Sequence, residues 1–115
     1  VTVTERIPPG TWQSEPGKVR EAVAYALKNG YKLIDCAYCY ANEEEVGQGL
    51  AEAFAAGVKR EDIFVVSKVW ATYTSRCELG LQKSLDKLGL DYVDLYLVVC
   101  PSLHELEGGG WWRLT

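Results

Sequence analysis

Histidine is nearly missing from this chain: one, His104, stands among 115 residues. It lies far along the chain from Cys36 and Cys39, so that pair has no nearby histidine to complete a mixed Cys/His metal site. No apolar run approaches the roughly 20 residues that span a bilayer. The longest, Val93 to Cys100, is broken by Asp94 and has the length of a strand. Val1 to Gly10 lacks the basic-then-apolar profile of a signal peptide. Positive charge is not in excess either. Twelve Lys and Arg against sixteen Asp and Glu leave a net charge of −4. Nucleic acid and anionic membrane are thereby disfavoured as partners, because neither attracts an acidic surface. Neither G-x-G-x-x-G nor G-x-x-x-x-G-K-[ST] occurs, so the common glycine-rich phosphate loops are excluded. What remains is a soluble globular domain with one core, expected in the cytoplasm.

Four cysteines are present: Cys36, Cys39, Cys77 and Cys100. Without a secretory signal they read as reduced thiols. Cys36 and Cys39 form a C-x-x-C, but it begins inside the apolar run Leu33–Ala37 and no second pair follows. The expectation is a buried small side chain, with no metal and no redox role.

Three segments carry helical periodicity. Val19, Ala22, Val23, Ala26 and Leu27 share one face, with Pro16 suited to the first turn and Gly30 to the stop. Val46, Leu50, Ala53 and Phe54 mark a second helix. Asn42 and Glu45 resemble a capping box there, and Gly57 is its end. Ser75 and Glu78 open a third in the same way, Leu81, Leu85 and Leu88 form its stripe, and Gly89 stops it. Between them, Lys32–Ala37, Ile63–Trp70 and Tyr92–Val99 read as strands buried on both faces. Strands separated by single helices must run parallel. Their ends at Ala37, Trp70 and Cys100 recur at about 30 residues, the pitch of a (β/α)8 barrel. The fold class is therefore α/β: a partial barrel of roughly three to four βα units. A small open α/β sheet is the alternative.

Barrel chemistry gathers at the C-terminal ends of the strands. Asp35 closes the first strand and Lys68 the next, with Tyr40 five residues past Asp35. An acid and a base in apolar runs are costly unless paired. A lysine ammonium beside a phenol stabilises the phenolate and makes the hydroxyl a better proton donor. The competing reading is a structural ion pair with a half-buried tyrosine, and on these residues alone the two stand level.

Beyond single residues, the order of motifs resembles the aldo-keto reductase family, and in particular its aldose-reductase-like, glycerol- and glyceraldehyde-processing members. Gly30-Tyr31-Lys32-Leu33-Ile34-Asp35-Cys36-Ala37, Tyr40-Ala41-Asn42-Glu43 and Glu45-Val46-Gly47 are similar to the family signature, with Lys32 in place of arginine. Ser67-Lys68-Val69-Trp70 resembles S-K-x-W, and Leu88–Leu97 resembles L-x-L-x-Y-x-D-L-Y-L. Gly10-Thr11-Trp12 is similar to the family's G-T-W. The resemblance runs from about Ile7 to Pro101 and defines a segment 1–101. Residues 102–115, with Gly108-Gly109-Gly110 and Trp111-Trp112, are expected to form an unrelated, disordered tail.

The resemblance implies an NADPH-dependent reduction of an aldehyde or ketone to an alcohol. Tyr40 would donate the proton, with Lys68 and Asp35 tuning it. Thr11 and Asp35 would touch the cofactor; Trp12 and Trp70 would line the substrate pocket. The implied partners are a small-molecule carbonyl substrate and NADPH, most of whose site, including the family's S-N and K-S segments, falls outside these residues. Two departures bear on this. Val99 stands where the family has a histidine that polarises the carbonyl, and Cys100 replaces a tryptophan. Paired prolines, Pro8 and Pro9, interrupt the short strand that precedes G-T-W in the family. A non-catalytic, truncated family member is the second reading.

Overall fold

The computed structural model describes Thr11 and residues 14–98. Three α-helices, α1 (Val19–Lys28), α2 (Glu43–Ala55) and α3 (Cys77–Leu88), alternate with three strands, β1 (Leu33–Asp35), β2 (Phe64–Val69) and β3 (Leu95–Val98). The strands form one sheet in chain order, β1-β2-β3. Both pairings are parallel, with Asp35 opposite Val66 and Lys68 opposite Leu97. Order without reversal is what a barrel segment requires; an open doubly wound sheet reverses at its switch point. The partial-barrel expectation therefore holds over the described elements.

Side chains alternate across a strand, and this divides the sheet. Ile34 and Cys36 of the first strand region and Val65 of β2 enter the core. There they meet Val19, Val23 and Leu27 of α1, Val46, Leu50 and Ala53 of α2, and Leu88 of α3. The opposite face carries Asp35, Phe64, Val66, Lys68, Leu95 and Leu97. Within the helix layer, α2 lies against both α1 and α3. Two glycines allow that approach at about 1 kcal/mol each in helix propensity. A Cβ on Gly47 would stand 2.7 Å from the Leu88 carbonyl oxygen, and one on Gly49 2.7 Å from that of Arg20.

Several local expectations are corrected. Ala22 is exposed and Ala24 takes its place in the buried face of α1. Neither capping box forms. Asn42 makes no side-chain cap; its Nδ2 donates to the Thr11 carbonyl at 2.6 Å. Glu45 accepts the Gly17 backbone N–H with both oxygens, at 3.0 and 3.1 Å. Ser75 lies in a 3₁₀ stretch, Ala71–Arg76, ahead of α3, whose N-cap is Arg76. Long-range partners have outcompeted the local ones in the second helix. Gly89 does end α3 in the left-handed region, at φ 65°.

The strands are shorter than expected, and the third is not buried on both faces: Leu95 and Val98 are exposed at its ends. Asp94 explains where it starts. Its backbone N–H donates to the Val65 carbonyl at 2.9 Å, while its own Oδ2 accepts the Val65 N–H at 2.8 Å. A side chain thus replaces the ladder carbonyl. Arg60 completes the latch. Its Nη2 donates to Asp94 Oδ2 at 2.8 Å and to the Tyr92 carbonyl at 3.0 Å, with the guanidinium 3.9 Å from the Tyr92 ring centre. Outside the described residues lie the Pro8–Pro9 interruption, the boundary at 101 and the expected tail 102–115.

Asp94→Ala strips an acceptor from the N–H of the buried Val65 and from the partly buried Arg60. A loss of about 2 kcal/mol is expected in urea unfolding. A loss under about 0.5 kcal/mol would mean the strand closes without the side chain.

Cys36 is fully buried, and its Sγ donates to the Val66 carbonyl at 3.1 Å. Burial, reinforced by the charge of Glu43, pushes its thiol up to about 12. Cys39 is exposed and unbridged. Iodoacetamide at mildly alkaline pH should label Cys39 in the folded chain and reach Cys36 only after denaturation, by peptide mass analysis. Equal labelling of the two in the folded state would contradict this packing.

Candidate active site

At its C-terminal end β1 gives way to a 3₁₀ turn, Tyr38–Tyr40. Ala41 then turns the chain at φ 56°, and α2 begins at Glu43. Asp35 ends β1 with its side chain 42% exposed, so it opens onto the strand-end face and is not sealed in the core. Lys68, on the same face of β2, extends toward it. Its Nζ donates to Asp35 Oδ1, to the Cys36 carbonyl at 3.0 Å, and to the Tyr40 hydroxyl oxygen at 3.4 Å. The ammonium also lies 5.1 Å from the Tyr40 ring centre. One cation therefore gathers three acceptors from the strand and turn beside it.

Burial pulls the Lys68 ammonium down, but the Asp35 carboxylate and then the Tyr40 hydroxyl outweigh it, so its proton is held above the ordinary lysine range. A lysine that donates all its bonds stays charged. Because it donates to the phenolic oxygen, the Tyr40 proton is left free to point elsewhere.

Tyr38, two residues earlier, is committed differently. Its ring meets Tyr73 edge to face, centroids 5.5 Å apart, and Lys87 stands 5.0 Å from its centre. Thr11 is buried, with its N–H and hydroxyl both on the Asp35 carbonyl at 3.4 Å. Trp70 follows β2, two residues past Lys68, and is half exposed. Trp12, Val99 and Cys100 lie outside the described residues. Among the described residues no group of three or more His, Cys, Asp or Glu could hold a metal ion, and no helix is long and apolar enough to cross a membrane.

The sequence reading assigned nothing to Glu43 and Ser67 beyond membership of a motif. They form a buried pair, Ser67 Oγ donating to Glu43 Oε1 at 2.6 Å. The available signal was an acidic residue at the first position of a helix beside a serine deep in an apolar strand.

Residues 4–104 match the model of the Aldo/keto reductase family. The chain is 71% identical over 99 residues to a D-galacturonate reductase of Hypocrea jecorina, covering 86% of this chain and 32% of that protein. It is 49% identical over 100 residues to the human aldo-keto reductase family 1 member A1, covering 84% and 31%. Among solved structures, the aldose reductase of Schistosoma japonicum aligns with a TM-score of 0.73 at 46% identity, over 77% of this chain and 31% of that one. A Bombyx mori aldo-keto reductase in complex with NADP aligns with a TM-score of 0.73 at 44% identity, over 80% and 33%. The chain thus spans about a third of the length of these relatives. Sequence and fold agree over that third, and the chain belongs to the aldo/keto reductase family.

Proposed function

We infer that this chain carries the proton-donating part of an oxidoreductase that reduces an aldehyde or ketone to an alcohol with NADPH. The single observation behind this reading is the Lys68 ammonium shared between Asp35 and the Tyr40 hydroxyl at the ends of two parallel strands. Tyr40 gives its proton to the carbonyl oxygen of the substrate. The phenolate left behind is stabilised by Lys68, whose charge Asp35 balances. Water returns the proton afterwards.

The described residues fit one end of such a cofactor. Asp35 uses one carboxylate oxygen on Lys68 and remains partly exposed, so its other oxygen can accept from a ribose hydroxyl. Thr11, held on the Asp35 carbonyl, stands beside it. These two residues would hold the nicotinamide end, and the cofactor when bound supplies the hydride. The NADP-bound relative from Bombyx mori supports the choice of cofactor. A uronate or another sugar-derived carbonyl compound is the substrate class suggested by the D-galacturonate reductase. Trp70, and Trp12 beyond the described residues, are proposed as pocket walls. Val99 offers no hydrogen-bond donor where the family has histidine, so polarising the carbonyl falls to Tyr40.

In a full-length barrel carrying this segment, Tyr40→Phe keeps the ring and removes the transferable proton. A fall in kcat of about 10²–10⁴-fold is expected, with cofactor affinity little changed. NADPH absorbance follows the rate. Activity within a factor of a few of the parent would assign the proton to another group and favour a non-catalytic role for Tyr40.

The raised Lys68 value fixes a pH window. While the Asp35 carboxylate is charged, the ion pair contributes stability that is fully present below the ordinary lysine value of 10.5 and is lost as pH rises through the raised value. The stability gap between the chain and Lys68→Met, from urea unfolding, should stay flat between about pH 6 and about pH 9 and narrow only in strong alkali. A gap that closes near neutrality would show that Lys68 is not held as an ammonium.

A further inference from the structure

The contact between Tyr40 and Lys68 joins two elements across 3.4 Å, and neither residue is positioned by its own element alone. Something must fix the turn that carries Tyr40. Glu43 is 1% exposed and Ser67 not at all, and Ser67 Oγ donates to Glu43 Oε1 at 2.6 Å. The other oxygen of Glu43, Oε2, is buried without a hydrogen-bond partner among the described residues. Burying a carboxylate is costly, and an apolar side chain of similar size would fill the space at less cost. The start of α2 offsets part of this through the helix dipole, but only part.

The placement of the pair points to a role beyond filling space. Ser67 and Lys68 are neighbours on β2, so their side chains leave opposite faces of the sheet. Ser67 points to the helix side, with Val65 and Val69; Lys68 points to the side of Asp35. The turn from Tyr38 to Glu43 consequently straddles the end of the strand. Tyr40 is drawn to Lys68 on one side and Glu43 to Ser67 on the other. Between them Ala41 sits at φ 56°, a conformation that a residue with a Cβ keeps only where its surroundings hold it. Asn42, also in the turn, is tied to the Thr11 carbonyl at 2.6 Å.

We propose that Glu43 and Ser67 are the positioning pair of this site: their hydrogen bond on the helix side of β2 pegs the turn so that Tyr40 meets Lys68 on the opposite side. They act through Tyr40, and the proposal rests on the reading of Tyr40 as proton donor.

The test combines kinetics in a full-length barrel with a readout independent of activity. Ser67→Ala removes the donor and should lower kcat about 10- to 100-fold while KM changes less than about threefold, the signature of a misplaced group. Glu43→Gln still accepts from Ser67 and should retain most of the rate. In the 115-residue chain, nuclear Overhauser contacts between the Lys68 Cε protons and the Tyr40 ring should be present, vanish in Ser67→Ala and persist in Glu43→Gln. Should Ser67→Ala fail to fold, Glu43→Met removes the acceptor with an unbranched chain, and the same contacts are read. If the contacts survive loss of the bond and only the melting temperature falls, the pair is a stabilising element and the proposal is overturned. Tyr40→Phe serves as the control. Full activity there defeats the proton-donor reading itself, whereas loss of activity there with none in Ser67→Ala defeats only the positioning role.

Discussion

Alternation along β2 is the constraint on which the rest of this structure turns. A strand can send consecutive side chains only to opposite faces, so Ser67 and Lys68 serve two different layers. The first belongs to the packed interior between sheet and helices; the second meets Asp35 and Tyr40 on the far face. Register then decides what each can reach. With Asp35 beside Val66, the lysine two residues further on leans back over the end of β1 and finds a carboxylate, a carbonyl and a phenol there. A slip of one residue would send Lys68 into the core and Ser67 to the open face.

The helix layer makes that register rigid. Gly47 and Gly49 are poor helix residues, yet each meets a neighbouring backbone at a distance no side chain would permit. Bringing α2 onto α1 and α3 seats Val46, Leu50 and Ala53 over Ile34, Cys36 and Val65. The Arg60–Asp94 latch closes the opposite end of the strands, where barrel residues serve stability. The Asp35–Lys68–Tyr40 cluster and the Arg60–Asp94 latch thus occupy opposite ends of one small sheet.

Much of this was legible in the residues. Helix stripes, stop glycines and strand runs gave the order of elements, because apolar period is a local property. Asp35, Tyr40 and Lys68 stood out because charged and phenolic groups at strand ends have few inexpensive surroundings. Other features were hidden for physical reasons. Asn42 and Glu45 have the spacing of a cap, but Thr11 and Gly17 offered partners that no local pattern records. The third strand is as apolar as a buried one, and no local pattern records that Leu95 and Val98 stay exposed while Ile34 of β1 is sealed. Glu43 opens a helix, where a glutamate is normally solvated; its burial depends on Ser67, 24 residues away.

The separation between Asp35 and Lys68 is 33 residues, with Tyr40 between them. Every group of the trio, and the helix that packs behind it, comes from one β-α-β passage of the chain. Closing a loop of that length costs little more entropy than closing a shorter one, because the cost grows only with the logarithm of the length. The trio's geometry is thus carried by the contacts of one crossover, and a longer barrel would present it without needing a residue from a distant strand to complete the ion pair.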